Sequence, residues 1–374
     1  MRLDEACEPH FGRHETFHPR WGWIKKAVDA GVDPTTFTAD DATLRLGVGK
    51  NMVRAIRFWG HATKTLTHVP NPENSRVPHS VPTRIGWAVF GNHGWDPYTE
   101  HPGTLWLLHW LMLAPRSELP VWWTAFSEFG ALEFTDSQLQ AFVEDQIDAT
   151  SSWNEVHPGT IAKDVSCMLR TYASVPRTKG KRQAFDDMVD GPMRELGLLR
   201  CTDASTRTFR FVIGSKATLP PSLVLYASLD FLARTGATGQ TVTVSRLATE
   251  AGAPGRIFKL TETDLTEALT LAARPHPGLI TLARPAGVAQ IGFNGSAAAA
   301  ATEVLRTHYE TLSLGPGPGI PSDLSAVGAD APFDAHVQLS LGSRTGLSLD
   351  STPPDDPVER LKFTQDKIDA GVRG

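Results

Sequence analysis

The chain has 374 residues, long enough for two or three hydrophobic cores. Hydrophobic residues make up 41% and charged residues 21%, a globular composition that excludes a fibrous or wholly disordered chain. The net charge of −5 excludes a generally basic nucleic-acid coat, so any DNA contact must come from local patches.

The amino terminus MRLDEACEPH carries early acids where a secretory leader would carry cations and then an apolar run. Cys7, Cys167 and Cys201 are odd in number and widely spaced, with no CxxC or zinc-finger pattern. These features, with no apolar run of membrane-spanning length, predict a cytoplasmic protein without disulfides.

From residue 11 the chain reads FGRHETFHPRWGWIKKAVDAG. Pro19 suits the first position of a helix that ends at Gly31. His14, Glu15 and His18 spell HExxH, which on a helix holds zinc and offers the glutamate as a base. His18 precedes Pro19, however, and a residue before proline is pushed out of the helical region, so the two histidines are not expected to stack one turn apart. Zinc peptidase chemistry is therefore the weaker alternative. Side chains that brace Trp21 and Trp23 are the structural alternative for the same segment.

Residues 40–59, DDATLRLGVGKNMVRAIRFW, read as a helix, a tight turn at Gly47 and a second helix. Gly47 fits a turn that needs positive φ, and Asp40 or Asp41 fits a helix cap. With Lys50 at zero on a helical wheel, Arg54 lies about 40° and Arg57 about 20° away. Met52, Val53, Ile56 and Trp59 fall on the other side. Asn51 sits near the start of the second helix, where recognition helices meet base edges. Lys50, Asn51, Arg54 and Arg57 are thus candidate contacts to double-stranded DNA. The next stretch has β-capable pieces around the Pro- and Asn-rich turn VPNPENSRVP, as a wing would.

An apolar helix is predicted over residues 104–113, with His109 as a satisfied core histidine and Asp96 as a turn or cap residue. The grammar of helices followed by paired strands recurs over residues 134–214 and from residue 220. In the second stretch PRTKGKR, with Arg177, Lys179, Lys181 and Arg182, is a basic loop able to follow a phosphate backbone. The third stretch carries Glu262, Asp264 and Glu267, which favour protein contact over DNA. The chain beyond residue 312 is rich in Gly and Pro and is expected to be dispensable for folding.

The fold expected is mainly α with small β wings, an α+β class of tandem winged-helix-like units joined by a helical middle region. Residues 1–92 form the DNA-binding domain, 93–214 the helical middle domain with a possible second winged unit, 215–312 a third unit, and 313–374 a flexible tail. GVGK at 47–50 lacks the rest of a phosphate loop, and no GxSxG or strand-borne GxGxxG is present, so no nucleotide cofactor is expected.

At GRHETFHPRWGW, LGVGKNMVRAIRFW and DPYTEHPGTLWLLHW taken together, the chain resembles the SspB family of bacterial single-stranded DNA phosphorothioate modification. The likeness spans roughly residues 10–300. The resemblance implies a DNA nickase in an anti-phage defence system. It also implies partners: an ATPase, an ATP-pyrophosphatase-like sulfur-insertion protein and a cysteine desulfurase upstream. Phosphodiester hydrolysis needs an activated nucleophile and stabilised phosphate charge, for which a divalent metal such as Mg2+ or Mn2+ is the expected cofactor. His14, Glu15, His18 and Arg20 form the densest collection of suitable groups. A non-enzymatic DNA-binding adaptor or transcriptional regulator stays open as the competing reading.

Overall fold

A computed structural model describes residues 1–72, 74–174, 191–236 and 239–312. Short helix α1 (Leu3–Ala6) precedes the GRHETFHPR segment, and α2 (Trp23–Gly31) follows it. The second helix starts later than the proline predicts. Gly22 is its N-cap at φ 72°, a left-handed conformation that breaks any continuation from Pro19. Its end at Gly31 is as expected.

Helices α3 (Ala42–Leu46) and α4 (Lys50–Ala62) form the expected hairpin, turned by Gly47 at φ 64°. Asp41 holds the N-cap position of α3 without a side-chain cap, because its carboxylate pairs with Arg45 Nε at 2.8 Å instead. Val53, Ile56 and Trp59 are buried and Met52 is half-buried, as the apolar stripe requires. Strands β1 (Leu66–Val69) and β2 (His79–Pro82) pair antiparallel, Leu66 opposite Pro82, to make the first wing. Thr83 then caps α5 (Arg84–Phe90) by accepting the Gly86 N–H at 2.9 Å.

The centre of the molecule is α6 (Pro102–Leu113) and α7 (Pro120–Ser127). Every residue of α6 after Pro102 is buried, so this helix has no solvent face, and Trp106, Trp110, Trp122 and Trp123 are among the largest fully buried side chains. The sequence HPGT at 101–104 starts it: Pro102 fits the first turn, and His101 Nδ1 accepts the Gly103 N–H at 3.0 Å. The same four letters at 157–160 start α9 (Pro158–Tyr172) in the same way. Asp96 is the expected cap, accepting from Glu100 N at 2.8 Å, His101 N at 3.1 Å and Thr104 Oγ1 at 2.6 Å. His109 is the expected core histidine. Its two ring nitrogens meet the Tyr172 hydroxyl at 2.8 Å and the Ile257 carbonyl at 3.0 Å, and burial pushes its pKa down to about 3.

The carboxy-terminal ends of these two helices are closed by lysines from elsewhere in the chain. Lys64 donates to the carbonyls of Leu111 at 2.7 Å and Ala114 at 2.9 Å. Lys259 donates to Phe126 O at 2.8 Å and lies 4.1 Å from the Phe211 ring centroid. Both are buried, and both adopt φ 55° directly after a helix. A lysine nitrogen there donates to carbonyls that the helix end leaves without partners.

Strand β3 (Glu133–Thr135), α8 (Asp136–Asp148), α9 (Pro158–Tyr172), β4 (Leu199–Asp203) and β5 (Thr208–Phe211) come next, with a 3-10 turn over Pro192–Leu196. The 3-10 turn is entered through Pro192, in its first position. The strands order β3-β5-β4, so the first pairs with the last. The arrangement recurs in α10 (Pro221–Arg234), β6 (Thr241–Thr243), α11 (Val244–Thr249), α12 (Pro254–Ile257), α13 (Glu262–Ala273), β7 (Ile280–Ala283) and β8 (Gln290–Phe293), with order β6-β8-β7. Helix α14 (Ala297–Thr311) packs along α10. The class is therefore α+β, mainly helical with small antiparallel wings. Strands β3 and β6 were not expected, since three residues are too few to show alternation. The basic loop with Arg177, Lys179, Lys181 and Arg182, and the tail from residue 313, lie outside the described residues.

Candidate nucleic-acid interface

The α3–α4 hairpin leaves one end of α4 open to solvent. Lys50, Asn51 and Arg54 are exposed there, while Val53, Ala55 and Ile56 face inward. Arg57, on the same face by periodicity, is already engaged. Its Nε donates to Ser80 Oγ at 2.8 Å and its Nη2 to the Pro78 carbonyl at 2.9 Å, so it fastens β2 to α4. The wing tip adds Arg76, which is exposed. Helix and wing thus present cations on neighbouring elements of one small unit, an arrangement suited to phosphates and a groove.

The GRHETFHPR segment meets this face through one residue. The Glu15 carboxylate accepts from Arg54 Nη1 at 3.3 Å, with side-chain exposures of 30% and 55%, so both groups remain within reach of a ligand. The backbone that carries Glu15 is strained: Glu15 has φ 50° and Thr16 φ 65°. Helix α9 holds it there. The buried Asp164 carboxylate accepts the Gly12 N–H at 3.0 Å and faces His14 Nε2 at 2.8 Å, and Arg170 Nη2 donates to Thr16 O at 2.9 Å. Trp59 Nε1 donates to Phe17 O at 3.0 Å from the other side.

His14 itself is turned away from solvent, at 1% exposure, among Phe58, Trp59 and Trp122. Burial opposes its charge, whereas hydrogen bonds and charge attraction from Asp164 and Cys167 favour it and outweigh burial, for a net pKa raised to about 9. The backbone supplies a contrary constraint. Thr16 N–H donates to His14 Nδ1 at 3.0 Å, which requires a lone pair on that nitrogen. We therefore take the ring as neutral, with its proton on Nε2 directed at Asp164. His18 is also buried, and Arg20 lies 5.7 Å from the Phe17 ring and 5.6 Å from the Trp23 ring.

Of the four residues grouped in this segment, only Glu15 is brought to the cationic face. His14 and His18 lie in turns and extended chain, not on a helix, so the HExxH spacing does not build a zinc site. Among the described residues no three His, Cys, Asp or Glu side chains converge on a metal position. Asp164 and Arg170 were not singled out from the sequence. A signal for Asp164 exists: it stands in the buried stripe Ile161, Asp164, Val165, Met168, and an acid at an apolar position of an amphipathic helix requires a partner.

A family model described as a protein of unknown function, DUF4007, matches residues 11–309. No curated protein matches the chain. Two solved structures do. One, described as a magnesium ion-bound SspB crystal structure, is 34% identical with a TM-score of 0.77, covering 86% of this chain and 93% of its own. The other, an SspB crystal structure, is 35% identical with a TM-score of 0.78, covering 87% and 94%.

Proposed function

The chain belongs to the SspB family, within the DUF4007 group, and on that premise we propose that it binds duplex DNA and nicks one strand. Its place is a single-stranded phosphorothioate modification and defence system, where a nick gives sulfur-insertion chemistry access to one backbone. Its partners there are the ATPase, the ATP-pyrophosphatase-like sulfur-insertion protein and, upstream, the cysteine desulfurase. The observation that carries the reading is the open end of α4. Lys50, Asn51 and Arg54 stand free of the core beside a wing, in a protein whose average charge would otherwise repel DNA.

On this reading α4 reads the duplex as a winged helix does, Lys50 and Arg54 neutralise phosphates, and Asn51 faces a base edge. Glu15, held beside Arg54 by the clamp from α9, brings a carboxylate to the phosphate backbone. Mg2+ characteristically keeps several waters and takes one or two carboxylates together with substrate phosphates. The Glu15 carboxylate fits such a site, and Glu15 is the residue that would hold the ion; the ion would supply charge stabilisation and an activated water. The chain's own contribution is to orient Glu15, to keep Arg54 next to it, and to fix the loop so that neither reorganises when DNA arrives.

The burial of His14 and His18 and the packing of Arg20 favour a second reading, a DNA-binding adaptor without hydrolytic chemistry. Supercoiled plasmid with Mg2+ separates the two. Nicking by the unaltered protein, lost in Glu15→Gln with binding retained and lost in Lys50→Ala/Arg54→Ala with weakened binding, supports the nickase. A mobility shift without relaxation by the unaltered protein supports the adaptor.

A further inference from the structure

The third helix-and-wing unit has the topology of the second, and α13 packs on β7 as the reading helix of a winged unit packs on its wing. Its chemistry is different from that of α4. Where α4 opens on Lys50, Asn51 and Arg54, α13 opens on Glu262, Thr263 and Asp264, with Glu267 one turn further. Asp264 is engaged as the cap partner of Thr261, whose N–H it accepts at 3.0 Å. Glu262 and Glu267 are exposed, so this end of the helix repels phosphate where α4 attracts it.

Along the outer face of α13 runs an open groove of about 440 Å³, lined by Thr263, Thr266, Glu267, Thr270, Leu271 and Arg274 of the helix and closed at one end by Arg284, which follows β7. Three features give it a direction. Leu271 stands 42% exposed in its wall, and Val288, 47% exposed, is in the turn that follows Arg284. Glu267 lies in the amino-terminal half of the groove, with Glu262 more than a turn before it on the same helix; Arg274 and Arg284 mark the other end, and none of the four makes an ion pair among the described residues. From Thr263 to Arg274 the helix advances about 16 Å, close to three turns.

We propose that this groove docks an amphipathic helix of a protein partner, with an apolar side chain on Leu271, basic groups toward Glu262 and Glu267, and acidic groups toward Arg274 and Arg284. A helix laid in a groove buries its apolar stripe and takes its register from charges at the two ends. The threonines supply short hydroxyl-bearing side chains that let the partner backbone approach without a competing charge. The proposal does not depend on nicking or on the DNA reading of α4; it assigns the third unit to protein where the first is assigned to DNA.

The test uses the full chain and a fluorescein-labelled peptide of about 14 residues, with two lysines at one end, leucines at helical spacing in the middle and two glutamates at the other end. The sequence-reversed peptide covers the opposite direction. Saturable, sub-millimolar anisotropy binding is expected for one of the two, weakened at least about tenfold by Leu271→Asp. Because Leu271 is exposed, that variant should melt like the parent. Glu267→Lys/Arg274→Glu should lose this peptide and gain its charge-swapped counterpart. Failure of both peptides to bind, or equal binding by Leu271→Asp, overturns the proposal. Loss of duplex DNA affinity in Arg274→Glu/Arg284→Glu would make the groove a nucleic-acid surface, and self-association abolished by Leu271→Asp would make a second copy its occupant. Either result also overturns it.

Discussion

Replacing Asp164 with alanine removes the anchor of the loop that carries Glu15. The carboxylate is 2% exposed and serves two donors, Gly12 N–H and His14 Nε2. Each buried donor left without an acceptor costs about 1–3 kcal/mol. Part of this is offset, because Glu15 and Thr16 can then leave their left-handed conformations, each strained by about 1 kcal/mol or more. The net expectation is a loss of about 2 kcal/mol, equivalent to a fall in Tm of about 3 °C for a body of about 300 residues. Asp164→Asn keeps an acceptor and should lose less than half as much. Urea titrations followed by tryptophan fluorescence give the free energy, and an unchanged slope with a lower midpoint identifies a true stability change. If Asp164→Ala melts within a degree of the parent, or Asp164→Asn is as damaged as alanine, the clamp does not hold the loop and its strain has another support.

Lys50→Ala/Arg54→Ala should flatten the log-log salt dependence of plasmid binding by about 1.8, about 0.9 for each phosphate contact, with folding intact; an unchanged slope removes α4 from the interface. Arg57→Ala should instead lower the melting temperature, because its guanidinium ties β2 to α4; an unchanged Tm together with a flattened slope would reverse that assignment. Acid should destabilise the fold. Burial depresses His61 and His109 to about 3 and His308 to about 4, with His68 and His101 adding repulsion at the first and third. The unfolded chain then binds protons first, and stability falls as pH drops below about 6.5, by about 2 kcal/mol per histidine between pH 7 and 5; a flat urea midpoint over that range contradicts neutral burial. Lys259, pushed down to about 7 by burial and by Arg256 and Lys216, works over a different window. The unfolded chain holds its proton up to about pH 10.5, so stability from this group rises between pH 7 and 10.5. Lys259→Met should lack that rise, and identical pH profiles for the two proteins would refute it.

Periodicity made α4 and the wing strands β1, β2, β4, β5, β7 and β8 legible, because each repeats its pattern over four residues or more, and an unbroken apolar run after Pro102 did the same for α6. Three-residue strands such as β3 and β6 leave no such trace. The start of α2 was misplaced because Pro19 gives a strong local signal, while the left-handed Gly22 that overrides it is one glycine among many in the sequence. At the candidate interface, the sequence identified Lys50, Asn51 and Arg54 correctly as lying on one helical end, but periodicity cannot tell an exposed cation from Arg57, which is bonded to the wing. The HExxH spacing was equally uninformative about direction: Glu15 points to solvent and its two histidines to the core. Asp164 lies 150 residues from His14, and contacts of that separation are set by packing, which no local pattern records.

Lys64 and Lys259 bear on how this architecture can be altered. Each side-chain nitrogen closes a helix that belongs to a distant stretch of chain, 47 residues away for Leu111 and 133 for Phe126. The units are therefore not interchangeable cassettes. A helix-and-wing unit grafted from a relative must bring a lysine to the left-handed position after its helix, at the height of the Leu111 and Ala114 carbonyls. Without it the graft exposes bare acceptors in the driest part of the molecule, however well its own core is packed. Sequence change is accordingly freest at the tips of helix and wing, while the residue that ends each helix is bound to the shared centre.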